Sequence, residues 1–202
     1  MSVHIETFTG DAVAPHLPAL ARLRRAVFAD WPYLYAGRED EEARYLATYT
    51  RRRDFALILA LAGDTPVGAA TCLPLAEEEE AIQAPFRAQG WSPKRFFYYG
   101  ESVLLPAYRG TGVGVGFFES REAHARAVSR CDFAAFCAVQ RPPDHPARPP
   151  DAPSLEGFWR HRGFVPYPHV QCEMRWTDIG AAGETPKRLG FWLKSLTGAP
   201  LP

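Results

Sequence analysis

The segment Tyr108-Arg109-Gly110-Thr111-Gly112-Val113-Gly114-Val115-Gly116 constrains this chain more than any other. It follows an apolar, aromatic stretch, Phe96 to Leu105, that predicts a strand, and it opens Val113 to Val128, which predicts a helix. A strand, a glycine-rich turn and a helix start together make an anion site. Amides in the first turn of a helix have no partner inside the helix, and the macrodipole adds partial positive charge there. Glycine lets the backbone close on a phosphate and Arg109 adds a permanent cation, so the turn is expected to grip a pyrophosphate.

Around that turn the pattern alternates between strand and helix. Val3 to Phe8 predicts a first strand, and Pro15 to Phe28 a helix with Leu17, Leu20, Leu23, Val27 and Phe28 near one face. Trp31 to Gly37 interrupts, and Arg38 to Arg53 predicts a charged helix that buries Tyr45, Leu46 and Tyr49. Phe55 to Leu61 and Pro66 to Leu73 read as a hairpin, and Ala81 to Gln89 as a short amphipathic stretch behind the acidic run Glu77 to Glu80. That run reads by default as a solvated face. Beyond the central helix come an apolar strand, Cys131 to Val139, a proline-rich loop, Gln140 to Pro153, and a short helix, Leu155 to Arg162, closed by Gly163. Val170 to Trp176 and Gly190 to Leu196 predict two final strands, paired antiparallel. The order implies an α+β (α/β layered) fold: helices around a mixed, largely antiparallel sheet.

The 202 residues suit one domain, expected to span 1–202. Acidic and basic side chains balance at 23 each, so no overall field favours nucleic acid, and Arg51-Arg52-Arg53 reads as a solvated helix end. No apolar run reaches the ~20 residues that cross a bilayer, and the N-terminus shows no signal-peptide pattern. Cys72, Cys131, Cys137 and Cys172 form no CxxC pair and suit free thiols in a reducing compartment, hence a cytoplasmic expectation. No histidine spacing suggests a metal, and none is expected.

Three phosphate-binding patterns compete for the glycine turn. A Walker loop ends in Gly-Lys-Ser/Thr, and no lysine follows here. A dinucleotide fingerprint needs GxGxxG, whereas glycines 110, 112, 114 and 116 alternate. The third, Arg/Gln-x-x-Gly-x-Gly/Ala, is met at every constrained position by Arg109 to Gly114, with Pro106 three residues before the arginine. Here the chain resembles the Gcn5-related N-acetyltransferase (GNAT) superfamily, and the order of elements extends the resemblance over most of its length. The resemblance implies acetyl-CoA (coenzyme A) as cosubstrate. It implies a pyrophosphate site at Arg109, Gly110, Thr111, Gly112, Val113, Gly114 and Val115, and a pantetheine and thioester edge at Val103, Leu104 and Leu105. An N–H near Leu104 would polarise the thioester carbonyl.

Transfer to an amine needs a proton acceptor, and Glu101, an acidic residue within the apolar strand, is the expected catalytic base. Ser102 should face the other way. The family's late-helix tyrosine, expected to protonate the departing thiolate, is replaced by Trp159 in Phe158-Trp159-Arg160-His161-Arg162-Gly163-Phe164. The asparagine that usually precedes this helix is missing too. His161, Tyr98, Tyr99 and Tyr108 are the possible substitutes, and Cys137 reads as core. Trp31, Tyr33, Tyr35, Trp91 and Trp159, with Arg141, His145 and Arg148 of the proline-rich loop, are candidates to line an acceptor site. The resemblance implies a small-molecule or peptide amine as acceptor and leaves a homodimer open. The alternative function is a non-catalytic acyl-CoA-binding regulatory module.

Overall fold

The computed structural model describes residues 2–202. Its elements, in chain order, are β1 (Val3–Thr9), α1 (Leu17–Phe28), α2 (Glu39–Leu46), β2 (Ala56–Ala62), β3 (Thr65–Pro74), α3 (Glu80–Ala88), β4 (Phe96–Leu104), α4 (Val113–Val128), β5 (Phe133–Val139), α5 (Glu156–His161), β6 (Val165–Thr177) and β7 (Glu184–Ser195). One seven-stranded sheet runs in the order β1-β2-β3-β4-β5-β7-β6. Every neighbouring pair is antiparallel except β4–β5.

Strand alternation sends side chains to two cores. On one face Leu57, Leu59, Phe96, Phe133 and Phe191 pack with Leu20 and Leu23 of α1 and with Ile82 and Phe86 of α3. On the other, Ile58, Phe97, Tyr99, Ala134 and Trp192 pack with Val113, Phe117 and Phe118 of α4. β2 is buried along its whole length, which is why its sequence is an unbroken apolar run.

The expected helix Arg38 to Arg53 is shorter: α2 ends at Leu46 and a 3-10 turn follows at Tyr49–Arg51. The Thr48 and Thr50 hydroxyls donate to the Tyr45 and Ala47 carbonyls (2.7 and 2.9 Å), a local competition that threonine brings to helices. The last two strands are longer than their apolar cores suggest: β6 begins with Val165-Pro166-Tyr167-Pro168-His169, where two prolines mask the strand, and β7 begins with the polar run Glu184 to Arg188. They pair antiparallel as expected, with a register shift between Tyr167 and Gln171.

Candidate active site

β4 and β5 start as parallel neighbours and then part. Phe96, Phe97 and Tyr98 pair with Phe133, Ala134 and Ala135, and the ladder stops there. From Tyr99 to Leu104, β4 keeps its antiparallel partner β3 but has no strand on its other edge. Leu105 donates its N–H to the Val67 carbonyl (3.0 Å) on the β3 side. Antiparallel alternation therefore turns the Leu104 N–H and carbonyl to the open edge, while the Val103 backbone faces β3. Val103 is fully buried and Leu104 half-buried.

The glycine turn closes this gap at its far end. Pro106–Tyr108 form a 3-10 turn, and Gly110 (φ 75°) and Gly112 (φ 88°) take left-handed conformations that strain any residue with a Cβ. Thr111 Oγ1 donates to the Tyr108 carbonyl (2.7 Å) and Arg109 Nε to the Leu104 carbonyl (3.2 Å). Among the described residues, the Thr111, Gly112, Val113 and Gly114 amides make no backbone hydrogen bond. Those of Val115 and Gly116 fold back onto the Gly112 carbonyl (2.9 and 3.1 Å). Unpaired amides at the start of a sixteen-residue helix, beside an exposed arginine, fit a diphosphate. The last two glycines have another job. A Cβ at Gly114 would sit 3.4 Å from the Phe158 ring, and one at Gly116 would collide with Ile5, so they let α4 lie close on its neighbours.

At the near end of the gap β4 carries a bulge. Ala70 faces Ser102 and Cys72 faces Tyr99, so β4 fits one extra residue opposite Thr71. A Cβ at Gly100 would approach Thr71 Oγ1 to 2.5 Å. Thr71 Oγ1 instead accepts the Glu101 N–H (2.9 Å) and donates to Glu101 Oε2. The bulge turns Glu101 into a buried cluster drawn from α1, α2 and the turn after it. Arg24 donates to Glu101 and, through Nε, to Glu42 (2.7 Å), while Tyr49 Oη (2.9 Å) and Tyr45 Oη (3.2 Å) also donate to Glu101. Ser102 is exposed on the other side.

Burial pushes the Glu101 pKa up, but Arg24, the Thr71 hydroxyl and Tyr49 outweigh it and hold the carboxyl below its ordinary value. Glu101 is thus an ionised carboxylate whose oxygens are already taken by donors. This bears on its expected role as base: direct proton abstraction would need one donor to leave, and its basicity is low. Two carboxylates, Glu42 and Glu101, share the single Arg24 cation, so the cluster is left with excess negative charge.

Glu78, just beyond β3, behaves in the opposite way. It is half-buried, and burial with help from Glu101 pushes its pKa up to about 7, offset only in part by the Glu79 N–H and Arg52. Burial and Glu101 also raise Tyr45 and Tyr49, and burial and Cys137 raise Tyr98, so these phenols stay protonated.

The other expected residues separate. Tyr98 Oη lies 3.1 Å from Cys137 Sγ, bridging β4 and β5 at the point where they part. Cys137 remains a thiol because Cys172 and burial raise its pKa. Tyr99 lies on the opposite face, stacked with the buried Arg121 guanidinium, whose pKa burial lowers to about 10. His161 is exposed at the end of α5, and Tyr108 is half-buried in the 3-10 turn. Trp159 packs against Phe136 and Trp192, each 5.0 Å between ring centres. Trp91 packs among Phe86, Phe96 and Tyr167, half-buried against the core. Tyr33 stacks on Trp176 and lies tilted against Phe28. Burial and then the Glu42 charge raise the Tyr35 pKa, which marks that phenol as a neighbour of the cluster. Trp31 and His145 keep company at 5.3 Å between ring centres. Arg141 is committed to structure: it pairs with both Asp178 oxygens (2.8 Å each) and donates to the Pro32 and Tyr33 carbonyls. Arg148 likewise donates to the Pro143 carbonyl (3.2 Å).

Arg24, Glu42, Thr71 and Glu78 are the residues that the sequence reading passed over. Arg24 did leave a signal, since it interrupts the apolar stripe of α1 between Leu20 and Val27. Glu78 left none, being one of four consecutive glutamates.

The profile of the Acetyltransferase (GNAT) family matches residues 20–164, and the chain belongs to that family. No curated protein matches it. Its fold is shared by an aminoglycoside 6'-N-acetyltransferase solved with coenzyme A: TM-score 0.61, 13% identity, covering 98% of this chain and 99% of that one. The ribosomal-protein-alanine N-acetyltransferase of Brucella melitensis gives a TM-score of 0.59 at 15% identity, covering 95% and 99%. PaiA N-acetyltransferase of Thermoplasma acidophilum, solved with coenzyme A, gives 0.55 at 12% identity, covering 96% and 99%. Among the described residues no helix is long and apolar enough to cross a membrane, and no group of three or more His, Cys, Asp or Glu is placed to hold a metal.

Proposed function

We propose that this chain is an acetyl-CoA-dependent N-acetyltransferase that acts on a primary amine of a small molecule or peptide. The observation that carries the reading is the open β4 edge ending in a turn of unpaired amides beside Arg109. Family membership supports it, as do structural neighbours solved with coenzyme A. The bound cosubstrate supplies an acetyl thioester. Arg109, Gly110 and the free amides of Thr111 to Gly114 hold diphosphate oxygens, while the expected Val115 N–H is already taken by the Gly112 carbonyl (2.9 Å) and serves the turn itself. Val103 and Leu105 flank the contact point on the strand, and the Leu104 N–H donates to the carbonyl oxygen as negative charge develops there.

Glu101 belongs to the reaction centre in this reading, acting through its charge. Ionised and sharing Arg24 with Glu42, it favours an ammonium-bearing acceptor next to the bulge. Tyr33 and Tyr35 stand on the same side, on the loop between α1 and α2. The four free thiols accord with a cytoplasmic setting.

Calorimetry with acetyl-CoA tests the cosubstrate. Release of coenzyme A thiol with an aminoglycoside, spermidine, a free amino acid and a short peptide tests the transfer. Absence of acetyl-CoA binding, or binding with no thiol release on any amine, would count against the reading.

A further inference from the structure

We propose that Arg141 is a positioning residue: it fixes the loop between α1 and α2 as a wall of the acceptor site and so sets how well the protein takes its amine. The inference rests on the acetyltransferase reading above. Arg141 lies just past β5, at the start of the proline-rich loop, and its side chain is only 6% exposed. Its guanidinium ties three segments together. Nη1 and Nη2 donate to the two oxygens of Asp178, just past β6 (2.8 Å each), while Nε donates to the Pro32 carbonyl (2.8 Å) and Nη2 to the Tyr33 carbonyl (2.6 Å). A planar fork meets two carbonyls and a carboxylate at once, a pattern that the point charge of lysine does not match. From β6, Trp176 Nε1 donates to the same Tyr33 carbonyl (3.0 Å), and Lys187 of β7 stands 3.4 Å from Asp178. Backbone bonds continue the attachment: the Ala36 N–H donates to the Thr177 carbonyl (2.9 Å) and the Ile179 N–H to the Leu34 carbonyl (2.7 Å). Leu34 itself has a φ of 55°, a left-handed conformation that leucine keeps only where its surroundings hold it.

The loop held in this way leads to the reaction centre by direct contacts. The Tyr33 ring lies 4.4 Å from that of Phe28, and the Tyr35 N–H donates to the Phe28 carbonyl (2.7 Å). The Arg24 guanidinium lies over the Phe28 ring (5.2 Å) and the Tyr45 ring (4.7 Å), and Arg24 pairs with Glu101 on the stretch of β4 that β5 leaves open. Phe28, Tyr33 and Tyr35 pack on the same face of the sheet. An amine drawn to Glu101 from that face meets rings whose place depends on the Tyr33 backbone, and Arg141 and Trp176 set that backbone. A wall displaced by about 1 Å can cost up to a hundredfold in rate, because the acceptor then binds out of line.

The experiment compares the wild type with Arg141→Lys, which keeps the charge and loses the fork, and Trp176→Phe, which keeps a ring and removes one donor to the Tyr33 carbonyl. Hydrogen exchange of the protein alone reads the loop. The Leu34, Tyr35 and Ala36 amides, which donate to the Asp30, Phe28 and Thr177 carbonyls, should exchange roughly tenfold faster in Arg141→Lys, while the β2 amides keep wild-type protection. Thiol release with the best amine of the panel reads the wall. In Arg141→Lys, kcat/KM for the amine should fall roughly ten- to hundredfold, most of it in KM, with acetyl-CoA affinity unchanged by calorimetry. Trp176→Phe should move both readouts the same way by less, and it carries the test if Arg141→Lys does not fold. A wild-type amine KM would overturn the proposal whether or not the loop has loosened, and so would wild-type exchange in the loop. Either result leaves acetyl-CoA binding and thiol release intact. If the wild type itself binds no acetyl-CoA or releases no thiol with any amine, the acetyltransferase reading fails and the proposal goes with it.

Discussion

The two ends of the β4 gap are built by different means. At the far end, the glycine turn is made by neighbours in sequence: Arg109 reaches Leu104 and Thr111 reaches Tyr108, five and three residues away. At the near end, the carboxylate cluster joins residues far apart: Arg24 and Glu101 are separated by 77 positions, Tyr49 and Glu101 by 52, and Thr71 and Glu101 by 30. The turn is exposed and presents unpaired backbone amides. The cluster is buried and gathers side-chain charge. A turn of free amides can thus be written into a short string, whereas a buried cluster of charge exists only after the sheet and helices have assembled.

Breaking the near end should cost most. Glu101→Gln keeps the shape but removes the charge that holds Arg24, and breaking one partner of a buried pair costs about 3–5 kcal/mol. Urea denaturation at pH 7 measures it. The pH dependence sharpens the assignment. Glu101 has a folded pKa below its ordinary 4.5, so its contribution is present above that value and is lost as pH falls through the folded pKa. The stability gap between wild type and Glu101→Gln should therefore close in acid. Glu78 has the reverse sign: its raised pKa favours the fold below 4.5, and that advantage is lost as pH rises through about 7. Glu78→Gln should then gain stability on the wild type above neutrality. Equal pH responses for the two variants would show that the cluster does not divide its carboxylates.

At the far end the loss should appear in binding, with the fold intact. Arg109 is exposed and makes one backbone contact through its side chain, so Arg109→Ala should leave the melting temperature nearly unchanged. A charge-assisted contact to phosphate is worth about 1.5–3 kcal/mol, so acetyl-CoA affinity should fall roughly ten- to hundredfold by calorimetry. An unchanged affinity would mean that the turn does not seat the diphosphate.

The same contrast explains what was legible beforehand. The strand, turn and helix from Phe96 to Val128 could be read because motif and contacts share one local stretch. The mixed sheet between helices followed from element order. Two facts escaped because they are tertiary. The β4 bulge depends on Thr71 standing opposite Gly100 and Glu101, which strand pairing alone decides. The high pKa of Glu78 depends on burial beside Glu101, whereas four glutamates in a row look solvated. Arg141 shows the converse: a basic residue in a polar loop looked free for an acceptor, and its Asp178 partner lies 37 positions away.

Trp159 gives the smallest expected effect and the test of a purely local inference. By the family resemblance it stands where a tyrosine is expected to protonate the leaving thiolate, and an indole cannot do so at neutral pH. The structure packs its ring edge-on between Phe136 and Trp192, on the α4 and α5 face of the sheet, opposite the Glu101 cluster. Trp159→Phe keeps an aromatic ring in that slot and removes only part of its volume. The expected cost is about 1 kcal/mol of stability, with kcat changed by less than about twofold. Thiol release at saturating acetyl-CoA, beside a thermal melt, checks both. A rate loss well beyond the stability loss would place the indole against the departing sulfur, and the far end of the gap would then hold chemistry as well as grip.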